Sequence, residues 1–125
     1  MENPNFILID DDETMLFLIE FEIQKHFDNS SIKSYCKSDV AFNFIHDNFS
    51  ELENTVLLLD LNMPVMDGFQ ILENLISISH TLKVIIVTSS ISDEDREKAL
   101  SYSFVHGYIN KPIKSLELKT VLLNI

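Results

Sequence analysis

Short apolar runs are the feature that most restricts how this 125-residue chain can fold. Three of them contain no polar residue: FILI at 6–9, VLLL at 56–59 and VIIV at 84–87. Such runs are typical of parallel strands with both faces covered, whereas a half-exposed strand alternates apolar and polar residues. Two weaker runs are IKSYC at 32–36 and YI at 108–109. The sequence therefore predicts five strands in a buried parallel sheet.

The segments between these runs repeat apolar residues at the spacing of a helix. Their predicted buried faces are Leu16, Ile19, Ile23 and Phe27; Ala41, Phe44 and Ile45; Phe69, Leu72 and Ile76; and Leu118, Val121, Leu122 and Ile125. In the remaining segment Ser92 precedes three acidic residues, a pattern typical of a capped helix start. This alternation predicts an α/β fold, a doubly wound five-stranded parallel sheet flanked by five helices.

The net charge of −11 restricts the partners of the chain. Nucleic acids and anionic membranes attract basic surfaces, so we expect neither as a partner. The single cysteine, Cys36, cannot form an internal disulfide and is predicted to be a half-buried free thiol. The length predicts one domain over residues 1–125 with no output domain. We find no secretory leader and no apolar run long enough to span a bilayer, which predicts a cytoplasmic protein.

Chemically reactive side chains follow four of the five predicted strands. Asp10 to Asp12 follow the first strand, Asp60 the third, Thr88 to Ser90 the fourth and Lys111 the fifth. The carboxyl ends of parallel strands lie at one edge of the sheet, which is where sites form in such folds. We therefore expect these side chains to meet at one place.

A cluster of carboxylates without histidine or cysteine suits Mg²⁺, which prefers oxygen ligands. The four histidines, at 26, 46, 80 and 106, have no metal-ligand spacing and are not expected to act as bases or ligands. The ammonium of Lys111 and the hydroxyl of Thr88 suit phosphoryl oxygens. Together these groups predict phosphoryl transfer through a covalent aspartyl phosphate, and the residue types alone leave open which aspartate is the nucleophile.

The segment LLLDLNMPVMDG at 57–68 resembles the receiver domain of bacterial two-component response regulators, as do IDDDETM, VTSS and GYINKP. The resemblance implies the flavodoxin-like strand order 2-1-3-4-5. It implies that Asp60 accepts a phosphoryl group from a histidine kinase or a histidine phosphotransfer protein. It also implies an Mg²⁺ site formed by Asp10, Asp11, Asp60 and the main-chain carbonyl of Asn62. The neighbouring Asp12 and Glu13 are expected to start the first helix instead.

The same resemblance implies roles for residues at the ends of the last two strands. Lys111 would contact the phosphoryl group, and its bond to Pro112 would be cis. Thr88 would move onto the phosphoryl group, and the aromatic side chain of Tyr108 would rotate with it. A surface near the fourth helix, fifth strand and fifth helix would then bind a downstream protein target. The loop containing Met63 and Pro64, with Asp67 and Gly68, would shape the site and open the third helix.

Two alternative functions use the same residues. Asp10, Asp12 and Thr14 fit the D-x-D-x-T motif of haloacid-dehalogenase-like phosphatases, with Asp10 as nucleophile. Those enzymes need a further acidic pair beyond the lysine, and only Glu117 follows Lys111 in this chain. The second alternative is a degenerate receiver that acts as a scaffold without phosphorylation, although such domains usually lack one of the acidic residues or the lysine.

One position departs from the receiver pattern. Many receivers have glycine after the fourth helix, and Phe104 occupies that position here. A left-handed cap is unfavourable at a phenylalanine, so we expect this helix to end in another way.

Overall fold

The computed structural model describes residues 3–125, which form one five-stranded parallel sheet. The strands are β1 (Asn5–Ile9), β2 (Ile32–Tyr35), β3 (Thr55–Leu59), β4 (Lys83–Thr88) and β5 (Val105–Asn110). Their order across the sheet is β2-β1-β3-β4-β5, and every neighbouring pair is parallel. The predicted doubly wound sheet and its flavodoxin-like order are both confirmed.

Five α-helices cover the two faces of the sheet. They are α1 (Glu13–His26), α2 (Ser38–Asn48), α3 (Gly68–Ile76), α4 (Asp93–Leu100) and α5 (Ser115–Leu123), with a short 3-10 helix at Phe49–Glu51. Helices α1 and α5 pack on one face, and α2, α3 and α4 pack on the other. All five residues of the central strand β3 are buried, which explains its unbroken apolar sequence. No helix in residues 3–125 has the length and apolar character needed to cross a membrane.

The residues of the predicted buried faces are buried or half-buried against the core, with one exception in α3. Ile76 is the last residue of that helix, and 61% of its surface is exposed. The buried face of α3 instead consists of Gly68, Ile71, Leu72 and Leu75. This set follows the i, i+3, i+4, i+7 spacing from Gly68, and Ile76 lies about 100° further around the helix. The prediction for Ile76 was therefore wrong.

Side-chain caps fix the starts of three helices that follow site-bearing strands, namely α1, α3 and α4. The carboxylate of Asp12 accepts hydrogen bonds from the amides of Thr14 and Met15 at the start of α1. Ser92 caps α4 by accepting from the amide of Asp95 at 3.2 Å, as predicted. Asp67 caps α3 in a reciprocal capping box with Gln70. These caps set where the loops after β1, β3 and β4 end.

Helix α4 ends without a left-handed residue, as the phenylalanine at position 104 predicts. The non-glycine residues with positive φ in the described chain are Asn54 and Val65, both far from this turn. Phe104 instead packs against the core below α3 and α4. The ring of His80 lies edge-on to it, with centroids 4.9 Å apart. Phe104 thus takes part in packing at the edge of the sheet opposite the site.

His80 is expected to make folding stability depend on pH. Burial lowers the pKa of its imidazole below the ordinary value, and its Nδ1 accepts the amide proton of Leu82 at 3.0 Å. The folded chain therefore favours the neutral ring, and the stability that His80 contributes is lost as pH falls below about 6.5. Urea unfolding at pH 7.5 and 5.5 should show a larger loss for wild type than for His80→Asn, which cannot titrate. Equal losses in the two proteins would contradict this role.

Candidate functional site

The carboxyl edge of the sheet brings the predicted site residues together. Asp10 and Asp60 follow β1 and β3, which pair directly, with Ile9 opposite Leu59. The amide of Asp60 donates to the carbonyl of Ile9 at 3.0 Å, which continues the ladder by one residue. Both aspartates are buried, with 2% and 5% of their surfaces exposed. Two charged side chains are thus fixed side by side within the protein.

Lys111 joins the two aspartates from the other side of the site. Its Nζ lies 2.6 Å from Asp10 Oδ2 and 3.3 Å from Asp60 Oδ2. Its amide donates to the carbonyl of Thr88 at 2.9 Å, which anchors the main chain where β5 ends. The bond from Lys111 to Pro112 is cis, as the resemblance implied. The lysine therefore places one positive charge between two buried carboxylates.

The pKa values of this cluster reflect burial first and the neighbouring charges second. Burial raises the pKa of Asp10 above its ordinary value, and the charge of Asp60 raises it further despite the contact with Lys111. Burial would lower the pKa of Lys111, but its contacts with Asp10 and Asp60 raise it overall. Both shifts show a site in which a further positive charge would be stabilising.

The carboxylates of Asp10, Asp11 and Asp60 form a possible cation site. One oxygen from each lies within 4.8 Å of the others. Asp10 Oδ2 is buried, and its contact is with the Lys111 ammonium at 2.6 Å. Oxygen ligands of this kind fit a hard divalent cation such as Mg²⁺. Asp12 caps α1 instead, so the three adjacent aspartates have two different structural roles.

The loop after β3 shapes one wall of the site. The amide of Asn62 donates to Asp60 Oδ1 at 3.4 Å, which places Asn62 beside the carboxylate. The amide of Gly68 donates to the carbonyl of Leu61 at 2.9 Å. A Cβ atom at Gly68 would lie 2.4 Å from the Asp60 carbonyl oxygen and 2.7 Å from Leu61 Cα. Only glycine allows α3 to start this close to the strand that carries Asp60.

Thr88 ends β4, and Tyr108 lies in the neighbouring strand β5, two residues before its end. No hydrogen bond joins these two residues in the described part of the chain. The buried hydroxyl of Thr88 accepts the amide proton of Ser90 at 3.2 Å. The hydroxyl of Tyr108 donates to the carbonyl of Ser90 at 3.3 Å. The guanidinium of Arg96 lies 5.4 Å from the centroid of the Tyr108 ring. Ser90 thus links the two residues predicted to move together.

The sequence did not predict the contacts of two residues near the site, Ser38 and Asn110. The hydroxyl of Ser38, at the start of α2, donates to the carbonyl of Pro64 at 3.3 Å. The side chain of Asn110 donates to the carbonyl of Ser90 at 2.6 Å. Ser38 and Pro64 are 26 residues apart, and nothing in either local sequence indicates the contact. Asn110 ends β5 directly before Lys111. Its position at a strand end is the one sequence signal that places it near the site.

The fold and the site together define a class of protein. It is a doubly wound α/β domain with clustered carboxylates and a lysine at the carboxyl edge of its sheet. Residues 6–123 match the family described as response regulator receiver domain. The chain therefore belongs to the receiver domain family of response regulators, as the sequence motifs predicted.

Curated relatives contain this domain within longer proteins. A probable methanogenesis regulatory protein of Methanothrix harundinacea is 33% identical over 78 residues, covering 60% of this chain and 49% of the relative. The hybrid signal transduction histidine kinase D of Dictyostelium discoideum is 27% identical over 125 residues, covering 95% of this chain and 8% of the relative. The chain thus spans less than half the length of the curated relatives described here.

Solved structures share the fold at low sequence identity. A two-component response regulator from Cytophaga hutchinsonii has a TM-score of 0.87 at 22% identity, covering 99% of this chain and 97% of that one. A CheY-like receiver domain protein from Methanospirillum hungatei has a TM-score of 0.81 at 21% identity, covering 97% and 91%. These likenesses support the order and packing of the elements.

Proposed function

We propose that this domain accepts a phosphoryl group on the carboxylate of Asp60. The donor is a phosphohistidine on a histidine kinase or a histidine phosphotransfer protein, the partners with which receiver domains interact. The observation that carries the proposal is the meeting of Asp10, Asp11, Asp60 and Lys111 at the carboxyl edge of the sheet. In this assignment Asp60 is the nucleophile and Asp10 is a metal ligand and partner of Lys111.

The chemical step forms one bond to phosphorus and breaks another. A carboxylate oxygen of Asp60 bonds to the phosphorus atom while the bond from phosphorus to the donor histidine nitrogen breaks. The electron pair of that bond stays with the imidazole of the partner. Lys111, within 3.3 Å of the Asp60 carboxylate, would hold an oxygen of the transferred group. None of the four histidines of this chain is needed for the step.

Charge in the site favours a divalent cation. The cluster sets three carboxylates against the one ammonium of Lys111, and a phosphorylated side chain carries about −1.5 to −2 charges at neutral pH. We propose that Asp10, Asp11, Asp60 and the carbonyl of Asn62 hold Mg²⁺. When bound, Mg²⁺ supplies positive charge that stabilises the oxygens of the transferring phosphoryl group.

The response to phosphorylation is proposed to pass through Thr88 and Tyr108. The hydroxyl of Thr88 would turn toward the phosphoryl group, and the Tyr108 ring would occupy the space it leaves. Phosphorylation would shift the balance between two arrangements that both exist beforehand. The surface formed by α4, β5 and α5 would then bind a downstream protein, while the net charge of −11 disfavours nucleic acid as a target.

Incubation with acetyl phosphate and Mg²⁺ tests this function. The intact mass of the purified protein is expected to rise by one phosphoryl group, and removal of Mg²⁺ with EDTA should prevent the rise. Binding of beryllofluoride, followed by amide NMR, provides a parallel probe for a slow donor. No phosphorylation by either acetyl phosphate or a phosphohistidine donor, together with no beryllofluoride binding, would contradict the proposal and favour a scaffold that acts unphosphorylated.

A further inference from the structure

Ser90 is the most heavily hydrogen-bonded residue of the loop between β4 and α4. Its hydroxyl donates to Asp95 Oδ2 at 2.7 Å, and its amide donates to Thr88 Oγ1 at 3.2 Å. Its carbonyl accepts from Asn110 Nδ2 at 2.6 Å and from the Tyr108 hydroxyl at 3.3 Å. The amide, the hydroxyl and the carbonyl of Ser90 are thus all hydrogen-bonded to neighbouring residues.

Asn110 makes the shortest of these contacts and connects two parts of the site. Its Nδ2 also lies 3.4 Å from the carbonyl of Thr88. Because both partners are carbonyl oxygens, the amide nitrogen of Asn110 must face them. The next residue is Lys111, whose own amide donates to the same Thr88 carbonyl at 2.9 Å. Asn110 therefore connects the end of β5, directly before Lys111, to the loop that follows Thr88.

The hydrogen bond from the Ser90 amide to Thr88 Oγ1 leaves the threonine hydroxyl to act as a donor. A hydroxyl has one proton to donate and lone pairs that accept. When the Ser90 amide occupies a lone pair of Thr88 Oγ1, the hydroxyl proton remains free to be donated. That proton is what an oxygen of a phosphoryl group on Asp60 would accept. The orientation of Thr88 thus depends on where the Ser90 amide is held.

We infer that Asn110 is a positioning residue for phosphoryl transfer, which acts by holding Ser90 so that the Ser90 amide orients the hydroxyl of Thr88. This inference rests on the proposed function and extends it to a residue that does not contact the phosphoryl group. Asp95 holds the same loop from the side of α4 through the Ser90 hydroxyl. Asn110 is the more direct of the two because it also bonds the Thr88 carbonyl.

The test compares Asn110→Leu, which has similar size but no donor, with Asn110→Gln, which keeps the amide on a longer side chain. The rate of phosphoryl uptake from acetyl phosphate with Mg²⁺ is expected to fall about fivefold in Asn110→Leu, as loss of one net hydrogen bond implies. Asn110→Gln should recover part of that loss. Amide NMR should show displaced Ser90 and Thr88 signals in Asn110→Leu. The melting temperature of Asn110→Leu should stay within a few degrees of wild type.

Asn124→Leu is the matched control. Asn124 is also exposed, and its Nδ2 donates to a main-chain carbonyl, that of Thr120, at 2.7 Å in the last turns of α5. This variant should take up the phosphoryl group at the wild-type rate. Wild-type uptake in Asn110→Leu, or a loss that Asn110→Gln does not recover at all, would overturn the inference alone. Absence of uptake in wild type would overturn the proposed function and the inference with it.

Discussion

Asp60→Asn is expected to take up no phosphoryl group from any donor, while remaining folded. The asparagine amide lacks the anionic oxygen that must bond to phosphorus, so the expected loss is complete rather than partial. The fold should survive because Lys111 keeps its 2.6 Å contact with Asp10. Removal of one carboxylate from a cluster of three also reduces repulsion. Intact mass after incubation with acetyl phosphate and Mg²⁺ measures the effect, and thermal unfolding confirms the fold.

Two aspartates in the first loop provide matched controls for this substitution. Asp12→Asn changes an adjacent aspartate that caps α1, and phosphoryl uptake should continue because asparagine also caps helices well. Asp10→Asn should weaken Mg²⁺ binding and slow uptake, with the phosphoryl group still on Asp60. A phosphorylated Asp60→Asn protein combined with an inert Asp10→Asn protein would assign the nucleophile to Asp10, as in the phosphatase alternative.

Gly68→Ala is expected to destabilise the domain by about 3 kcal/mol. The added Cβ would lie 2.4 Å from the Asp60 carbonyl oxygen and 2.7 Å from Leu61 Cα. Both are main-chain atoms of the segment that carries the proposed phosphoryl acceptor, so relief requires a shift of the backbone itself. Phosphoryl uptake should therefore also slow, because Asp60 moves relative to Lys111. Urea unfolding measures the stability, and the uptake assay measures the second effect.

The only other glycine gives the control for Gly68. A Cβ at Gly107 would lie 2.7 Å from Val121 Cγ1, which is a side-chain atom of a half-buried residue in α5 and can move by rotation. Gly107→Ala should cost about 1 kcal/mol and leave uptake unchanged. Equal destabilisation by the two substitutions would contradict the argument that main-chain contact makes Gly68 irreplaceable.

The sheet and the position of the site could be predicted because they depend on local patterns. Unbroken apolar runs mark the buried strands, and the residue after each run must lie at the carboxyl edge. This pattern predicts that Asp10, Asp60, Thr88 and Lys111 lie close together, and Lys111 contacts both aspartates. The role of each depended on the receiver resemblance, since carboxylates near a lysine suit more than one reaction.

Other features could not be predicted because they depend on contacts between distant segments. Ile76 continues an apolar spacing, but α3 packs on the sheet through the face that carries Ile71 and Leu75, which leaves 61% of the surface of Ile76 exposed. The two hydrogen bonds from the Asn110 side chain to the carbonyls of Thr88 and Ser90 depend on the register of β5 beside β4. The left-handed backbone at Val65, with φ of 69°, is unusual for a β-branched residue and has no signal in its own sequence.

Chemical trapping of the phosphorylated residue tests directly whether Asp60 accepts the phosphoryl group. Borohydride reduces an aspartyl phosphate to homoserine, so treatment of the phosphorylated wild-type protein, followed by peptide mass spectrometry, identifies the acceptor. We expect homoserine in place of Asp60, formed only when Mg²⁺ was present during phosphorylation. Homoserine in place of Asp10, or at neither position in a protein that has gained a phosphoryl group, would contradict it.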